Sequence, residues 1–137
     1  MIPNSLYHKI MGLLPIPCVD MFIEYDEGYI WIKRNIEPEK GEWATVGGRV
    51  QLNEKLEDAC RRIARKELGI ENITLKRQLG TMGSFYNDRH CISTFFLAKT
   101  KDEIKVNKEE VQDYKISREP PEGTANFYMK FLKRYKI

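Results

Sequence analysis

The sequence predicts an α/β protein, a mixed β-sheet sandwiched between helices. Three observations carry that expectation: apolar strand-like segments that come in hairpins, one well-punctuated helix between the hairpins, and an amphipathic segment at the C-terminal end. With 137 residues, 42% of them hydrophobic, the chain is expected to form one domain over 1–137 around one core, which excludes two full domains.

Asn4 or Ser5 can cap a short first helix running to Gly12, and Pro15 and Pro17 stop it. Residues 18–25 follow as an apolar strand, Asp26-Glu27-Gly28 turns the chain, and Tyr29 to Arg34 makes the second strand of a hairpin. Strict alternation puts Ile30, Ile32 and Arg34 on one face. A loop over 35–41 leads to a strand-like run from Trp43 to Val50 that breaks at Gly47-Gly48. The spacing then predicts a helix over 53–69, with Asn53 as cap and Gly69 in the left-handed terminating position. Thr74 to Phe85 and Cys91 to Lys99 form a second hairpin around the polar turn 86–90, and Val111 to Ile116 adds a short strand. Thr124 can cap a final helix that carries Phe127, Tyr128, Phe131, Leu132 and Tyr135 on its apolar side. Its Lys130, Lys133, Arg134 and Lys136 read as a solvated face that complements the helix C-terminus.

Charge and cysteine content narrow the function classes. The 23 Lys and Arg against 20 Asp and Glu leave a formal +3, too evenly mixed for a nucleic-acid arm, so no nucleic-acid partner is expected. The longest apolar stretch, Ile10 to Met21, is interrupted by Gly12, Pro15, Pro17 and Asp20 and suits neither a membrane span nor a signal peptide. A soluble cytoplasmic protein is therefore expected. Cys18, Cys60 and Cys91 lack metal or redox spacing and read as reduced core thiols.

One carboxylate sits where a core-facing residue belongs. Stepping 100° per residue along 53–69, Leu56, Ala59, Cys60, Ile63 and Ala64 form an apolar stripe, and Glu67 falls roughly 20° from Cys60, inside it. An ionised carboxylate facing a core needs a cation or donors to meet it. Two outcomes fit helix geometry equally: a compensated inward Glu67, or a fraying last turn that swings it into water. Gly47-Gly48 just upstream reads as a tight turn when taken alone. Together with an inward glutamate it offers a backbone carbonyl and a carboxylate, the oxygen ligands Mg²⁺ takes when water and phosphates complete its octahedron. A nucleoside diphosphate compound suits such a site.

These residues resemble the Nudix box. That pattern is Gly, five residues, Glu, seven residues, then Arg-Glu-apolar-any-Glu-Glu-any-Gly-apolar, and Gly48, Glu54, Arg62, Glu67, Gly69 and Ile70 occupy matching positions without a gap. Two positions depart: Ile63 replaces the glutamate after Arg, and Lys66 replaces the first of the Glu-Glu pair. A multi-metal carboxylate cluster cannot be built from this helix, and Glu67 is left for a single ion. The reduced box, preceded by Gly47-Gly48-Arg49-Val50-Gln51, is similar to that of the GDP-mannose mannosyl hydrolases, with the likeness extending over most of the chain through residue 70.

That resemblance implies a Nudix α/β/α fold, a homodimer, Mg²⁺ or Mn²⁺ as cofactor, and a nucleotide-sugar substrate attacked by water at the anomeric carbon. It implies that the Gly47 carbonyl and Glu67 hold the metal, that Arg34 and Arg49 neutralise the diphosphate leaving group, that Asp20 meets sugar hydroxyls or an arginine, and that Tyr7 stacks on the base. Each has a plainer alternative: surface ion pairs for the arginines, a structural salt bridge for Asp20, simple packing for Tyr7. The family's Gln-His pair falls on Glu110 and Val111, and valine accepts no proton. Glu110 suits the metal, and Glu109, Asp88 or His90 stand as substitutes for the base, although a lone loop histidine is more often without such a role. Attack at phosphorus, or a binding module that has lost its base, are the competing functions.

Overall fold

The computed structural model describes residues 2–135 apart from 38 and 87, with the side chain of 86 also outside the description. Positions 38, 87 and 136, which fall in the expected loop, turn and basic helix face, thus lie outside the described residues. The order of elements is α1 (Asn4–Met11), β1 (Ile16–Tyr25), β2 (Gly28–Arg34), β3 (Trp43–Ala44), β4 (Val46–Arg49), α2 (Leu56–Leu68), β5 (Ile73–Tyr86), β6 (Arg89–Thr100), β7 (Val111–Ser117) and α3 (Asn126–Tyr135).

Among the described residues the strands form one mixed sheet ordered β3-β2-β1-β6-β5, with β4 on β1 and β7 on β2. β1 is the hub. It runs parallel to β6 from Ile16↔Cys91 to Glu24↔Lys99, yet meets β2 only beside the turn, at Glu24↔Tyr29 and Tyr25↔Gly28. Beyond that point β4 replaces β2 as its antiparallel neighbour, from Met21↔Val46 to Cys18↔Arg49. This change of partner opens a gap beside Asp20, between the end of β2 and the start of β4.

The core explains why the frame is rigid there. Phe22 and Phe95 stack at 5.8 Å, Phe95 and Phe131 at 3.7 Å, and Trp31 meets Phe22 edge-on. Burial of each such ring contributes about 1.5–3 kcal/mol. Of the apolar stripe expected on α2, Ala59, Cys60, Ile63 and Ala64 are buried and Leu56, in the first turn, is half-buried; Leu68 is buried as well. Gly69 closes that helix at φ 65, with its N–H directed to the Ala64 and Arg65 carbonyls.

Several local expectations differ from the structure. Asn53 does not cap α2; it lies at φ 63 in a turn, and the helix starts at Leu56. The reason is Glu54, whose carboxylate accepts the Gln51 N–H (3.0 Å) and the Arg62 guanidinium (2.8 and 3.0 Å), so residues 51–54 form a turn locked to the helix flank. Thr124 donates to the Pro121 carbonyl (2.6 Å) instead of capping α3. At α1, Pro3 takes the cap position and no side chain caps the helix. Gly47 and Gly48 do not interrupt a strand but lie inside β4. The second hairpin is longer than expected at both ends. Of the three cysteines only Cys60 is a core thiol; Cys18 and Cys91 are half-buried. Among the described residues, no helix is long and apolar enough to cross a membrane.

Candidate active site

A cavity of about 330 Å³ opens at the gap beside Asp20. Its carboxylate end is lined by Asp20, Arg34, Gly47, Lys66, Glu67 and Glu110, and its other end by Tyr7, Arg49, Cys18, Ser84, Arg89 and Cys91. Of the residues read from the sequence, the structure thus brings together Tyr7, Asp20, Arg34, Gly47, Arg49, Glu67 and Glu110.

Glu67 faces inward. Its Oε1 is buried and has no hydrogen-bond partner among the described residues. Burial first, and then the neighbouring Glu110, push its carboxyl up to about 8, against the pull of Arg34 and Lys66. An acid in this state keeps a proton near neutrality until a cation displaces it. Of the two outcomes open to the last turn of α2, the inward one is realised, because Gly69 terminates the helix without fraying and Leu68, next along, is fully buried.

Asp20 comes from β1 opposite Gly47. Thr45 Oγ1 donates to its Oδ1 at 2.9 Å, the Ser93 hydroxyl also bonds to it, and burial still pushes it up to about 7. Gly47 makes this approach possible: a Cβ there would collide with the Asp20 carboxyl and lie 2.5 Å from the Val19 carbonyl oxygen. A Cβ at Gly48 would press on Ile63 Cδ1 at 3.2 Å. The glycine pair therefore serves close packing, of a carboxyl on one side and a helix on the other, and neither residue has the positive φ of a turn.

Arg34 ends β2 beside a bulge of β7: Lys33 pairs with Asp113 and Arg34 with Val111, which leaves Gln112 as the extra residue. Arg34 lines the cavity from the end of that strand. Arg49 lies flat over Tyr7, its guanidinium carbon 4.3 Å from the ring centroid, so one face of that ring is already covered. Arg62, the arginine of the box, reaches past Glu54 to the Arg49 carbonyl (2.8 Å) and ties β4 to α2.

Glu110 pairs with Lys66 Nζ at 3.0 Å. The lysine at a box position where an acid is usual thus holds a second carboxylate at the mouth of the site. The other candidates for a base lie elsewhere: Glu109 is exposed on its turn, Asp88 is a surface partner of Arg89, and His90 stacks on Phe85 at 4.4 Å outside the cavity lining. Val111 is fully buried.

Sequence reasoning missed Thr45, Ser93, Lys66, Arg89, Ser84 and the thiols as lining or supporting residues. The alternation of Arg89, Cys91 and Ser93 along β6 was a usable signal, since it puts the three on one face of a strand. That Thr45 and Ser93 would meet Asp20 carried none, because it is set by pairing between strands far apart in the chain.

Oxygen donors, one of them orphaned and buried, fit a hard divalent cation. Among the described residues no three His, Cys, Asp or Glu side chains are grouped closely enough to hold a metal by themselves. A cation here would therefore draw on a backbone carbonyl, water and substrate phosphates.

An α/β sheet with a helix-borne glutamate over a glycine-lined cleft defines a class, and the comparisons agree with it. The chain belongs to the Nudix hydrolase family: the family model of the NUDIX domain matches residues 14–134. It is 30% identical over 139 residues to the low-salt glycan biosynthesis protein Agl8 of Haloferax volcanii, covering 96% of this chain and 88% of that protein. Among solved structures it is similar to a MutT NUDIX hydrolase from Burkholderia pseudomallei, with 25% identity, TM-score 0.77, and coverage of 88% and 97% of the two chains. The MutT protein of Methanosarcina mazei Go1 shares the fold at TM-score 0.80 and 19% identity, over 90% and 95% of the chains. Nudix hydrolases use divalent metal ions such as Mg²⁺, which the oxygen donors here suit.

Proposed function

We propose that the protein is a Mg²⁺-dependent hydrolase, Mn²⁺ serving in its place, that releases GDP and free sugar from GDP-mannose or a related nucleotide sugar. The observation that carries this reading is the buried Glu67, whose Oε1 has no hydrogen-bond partner among the described residues, facing a cavity to which α2 brings no other acid. A lone ion suits neutralising a diphosphate that leaves better than it suits assembling a nucleophile on phosphorus. The similarity to a glycan biosynthesis protein supports a sugar-nucleotide substrate.

In this reading Glu67 and the Gly47 carbonyl would hold the cation, which supplies positive charge to the diphosphate oxygens. Arg34 and Arg49 donate to the same oxygens as charge builds on them, the role for which a planar guanidinium fork is suited. Asp20, fixed by Thr45 and Ser93, accepts hydrogen bonds from the sugar hydroxyls. Glu109, Asp88 and His90 do not line the cavity and Glu110 does, so Glu110, matched by the sequence to the metal, is here left off the ion and takes the proton of the attacking water, with Lys66 orienting its carboxylate. Tyr7 presents its face away from Arg49 to the nucleobase. We also read the chain as one domain of a cytoplasmic homodimer, with α1 at the subunit contact, since Leu6 on that helix and Leu13 and Leu14 just after it are exposed apolar residues.

The buried Val111 favours a second reading, a nucleotide-sugar binding module without turnover. Hydrolysis of GDP-mannose with Mg²⁺ in ¹⁸O-labelled water separates the possibilities. Label in the free sugar is expected; label on a phosphate establishes attack at phosphorus instead. Binding without turnover leaves the module reading in place.

A further inference from the structure

The turn that brings Glu110 to the cavity is held by two asparagines that stand outside the cavity lining, Asn35 and Asn107. Residues 108–110 turn the chain ahead of β7, so their backbone groups find partners outside the strand ladder. Asn35 supplies two of these contacts. Its backbone N–H donates to the Glu110 carbonyl at 2.9 Å, one step beyond the Arg34↔Val111 pair. Its side-chain Nδ2 donates to the Lys108 carbonyl at 2.7 Å and lies 3.5 Å from the Glu109 carbonyl. Both acceptors are carbonyl oxygens, so only the amide nitrogen fits there. Asn107 closes the turn from inside: its side-chain oxygen accepts the Glu109 N–H at 3.1 Å, and its carbonyl accepts the Glu110 and Val111 N–H groups at 3.1 and 2.9 Å.

The same two residues join the turn to the rest of the site. Asn35 directly follows Arg34, the last residue of β2. Asn107 donates its N–H to the Glu67 carbonyl at 2.8 Å, one of the carbonyls that the end of a helix leaves without an intrahelical partner. Arg34, Glu67 and Glu110, from β2, α2 and the turn before β7, are thereby tied together through backbone. The Lys66–Glu110 pair is a weak anchor by itself, because the lysine side chain is 51% exposed and water screens the attraction. The direction of Glu110 is set instead by the backbone beneath it, and Asn35 supplies the side-chain donor that meets that backbone.

We propose that Asn35 is the positioning residue of Glu110: its amide fixes the turn 108–110 so that the Glu110 carboxylate reaches the attacking water. It acts through Glu110 and not on the substrate, since it does not line the cavity. The effect on turnover, though not the hold on the turn, rests on the reading of Glu110 as the base.

The test is a double-mutant cycle on GDP-mannose hydrolysis with Mg²⁺, Asn35→Ala against Glu110→Gln, with hydrogen–deuterium exchange of the whole chain as a readout independent of turnover. Asn35→Ala is expected to lower kcat roughly 10- to 100-fold with KM unchanged within about 2-fold, the pattern of a misplaced group and not of lost substrate binding. In the Glu110→Gln background the same substitution is expected to cost no more than about 2-fold, because the group it positions is already gone. Exchange at the amides of 109–111 is expected to rise roughly 10-fold in Asn35→Ala, while that of β1 and β6 stays as in wild type. Asn35→Asp, which keeps the size of the side chain and loses its donor, is expected to match Asn35→Ala in each measurement. An unchanged kcat in both Asn35 variants, or an equal loss with and without Glu110, overturns the proposal. If wild type hydrolyses no GDP-mannose, or Glu110→Gln keeps the wild-type rate, the base reading fails on its own. Exchange then decides the positioning, and amides at 109–111 that exchange no faster in the Asn35 variants overturn it.

Discussion

A buried carboxyl oxygen without a hydrogen-bond partner among the described residues, as at Glu67 Oε1, is a stability cost that a bound cation would offset. Its folded value of about 8 lies above the ordinary 4.5, so between those pH values the unfolded chain has lost a proton that the folded chain keeps. Folding therefore binds protons in that window, and the contribution of Glu67 to stability falls as pH rises from about 4.5 to about 8. Asp20 adds the same sign from 3.8 to about 7. Comparing melting curves of wild type and Glu67→Gln without metal should show wild type losing stability relative to the variant as pH is raised from 6 to 8.5. Saturating Mg²⁺ should stabilise wild type more at the alkaline end and leave the variant unmoved, because the ion takes the place of the proton. Parallel melting profiles for the two proteins, with or without Mg²⁺, would remove the metal assignment.

At the scale of elements, the site exists because β4 and α2 approach β1 through two positions without side chains. Gly47→Ala forces a methyl against the Asp20 carboxyl and the backbone of Val19, which cannot yield, so we expect a loss of about 1–3 kcal/mol and of most activity. Gly48→Ala meets only the end of Ile63, a side chain able to shift, and should cost less than half as much. Denaturant melts of both variants check the order; equal losses would show that packing against Asp20 is not what position 47 provides. The Arg62 clamp on Glu54 and on the Arg49 carbonyl works between the same two elements. It fixes where α2 starts and hence how far along the helix Glu67 lies.

For the whole molecule, ligand and fold are coupled. Cation and nucleotide would bridge α2, β4, β2 and the turn before β7, elements that otherwise meet around an open cavity. Mg²⁺ and GDP at about 100 times the dissociation constant should add about 2.7 kcal/mol to stability. The gain should vanish in Glu67→Gln and shrink when Arg34 or Arg49 is replaced by alanine. A thermal shift series over nucleotide concentration measures it, and an equal shift in Glu67→Gln would place the nucleotide away from this cavity.

The sequence alone determined what repeats locally: strand alternation, the apolar stripe of α2 with one acid inside it, the Gly69 stop, and the spacing from Gly48 through Glu67 that marks the family. Tertiary structure decided what depends on distant partners. The change from β2 to β4 beside β1 opens the cavity, the end of β2 brings Arg34 to its lining, and Lys66 finds Glu110 forty-four residues away. The physical reason is range. Helix and strand periods are written in neighbouring residues, whereas the approach of Thr45 and Ser93 to Asp20 follows from pairing register between strands that chain order does not place side by side.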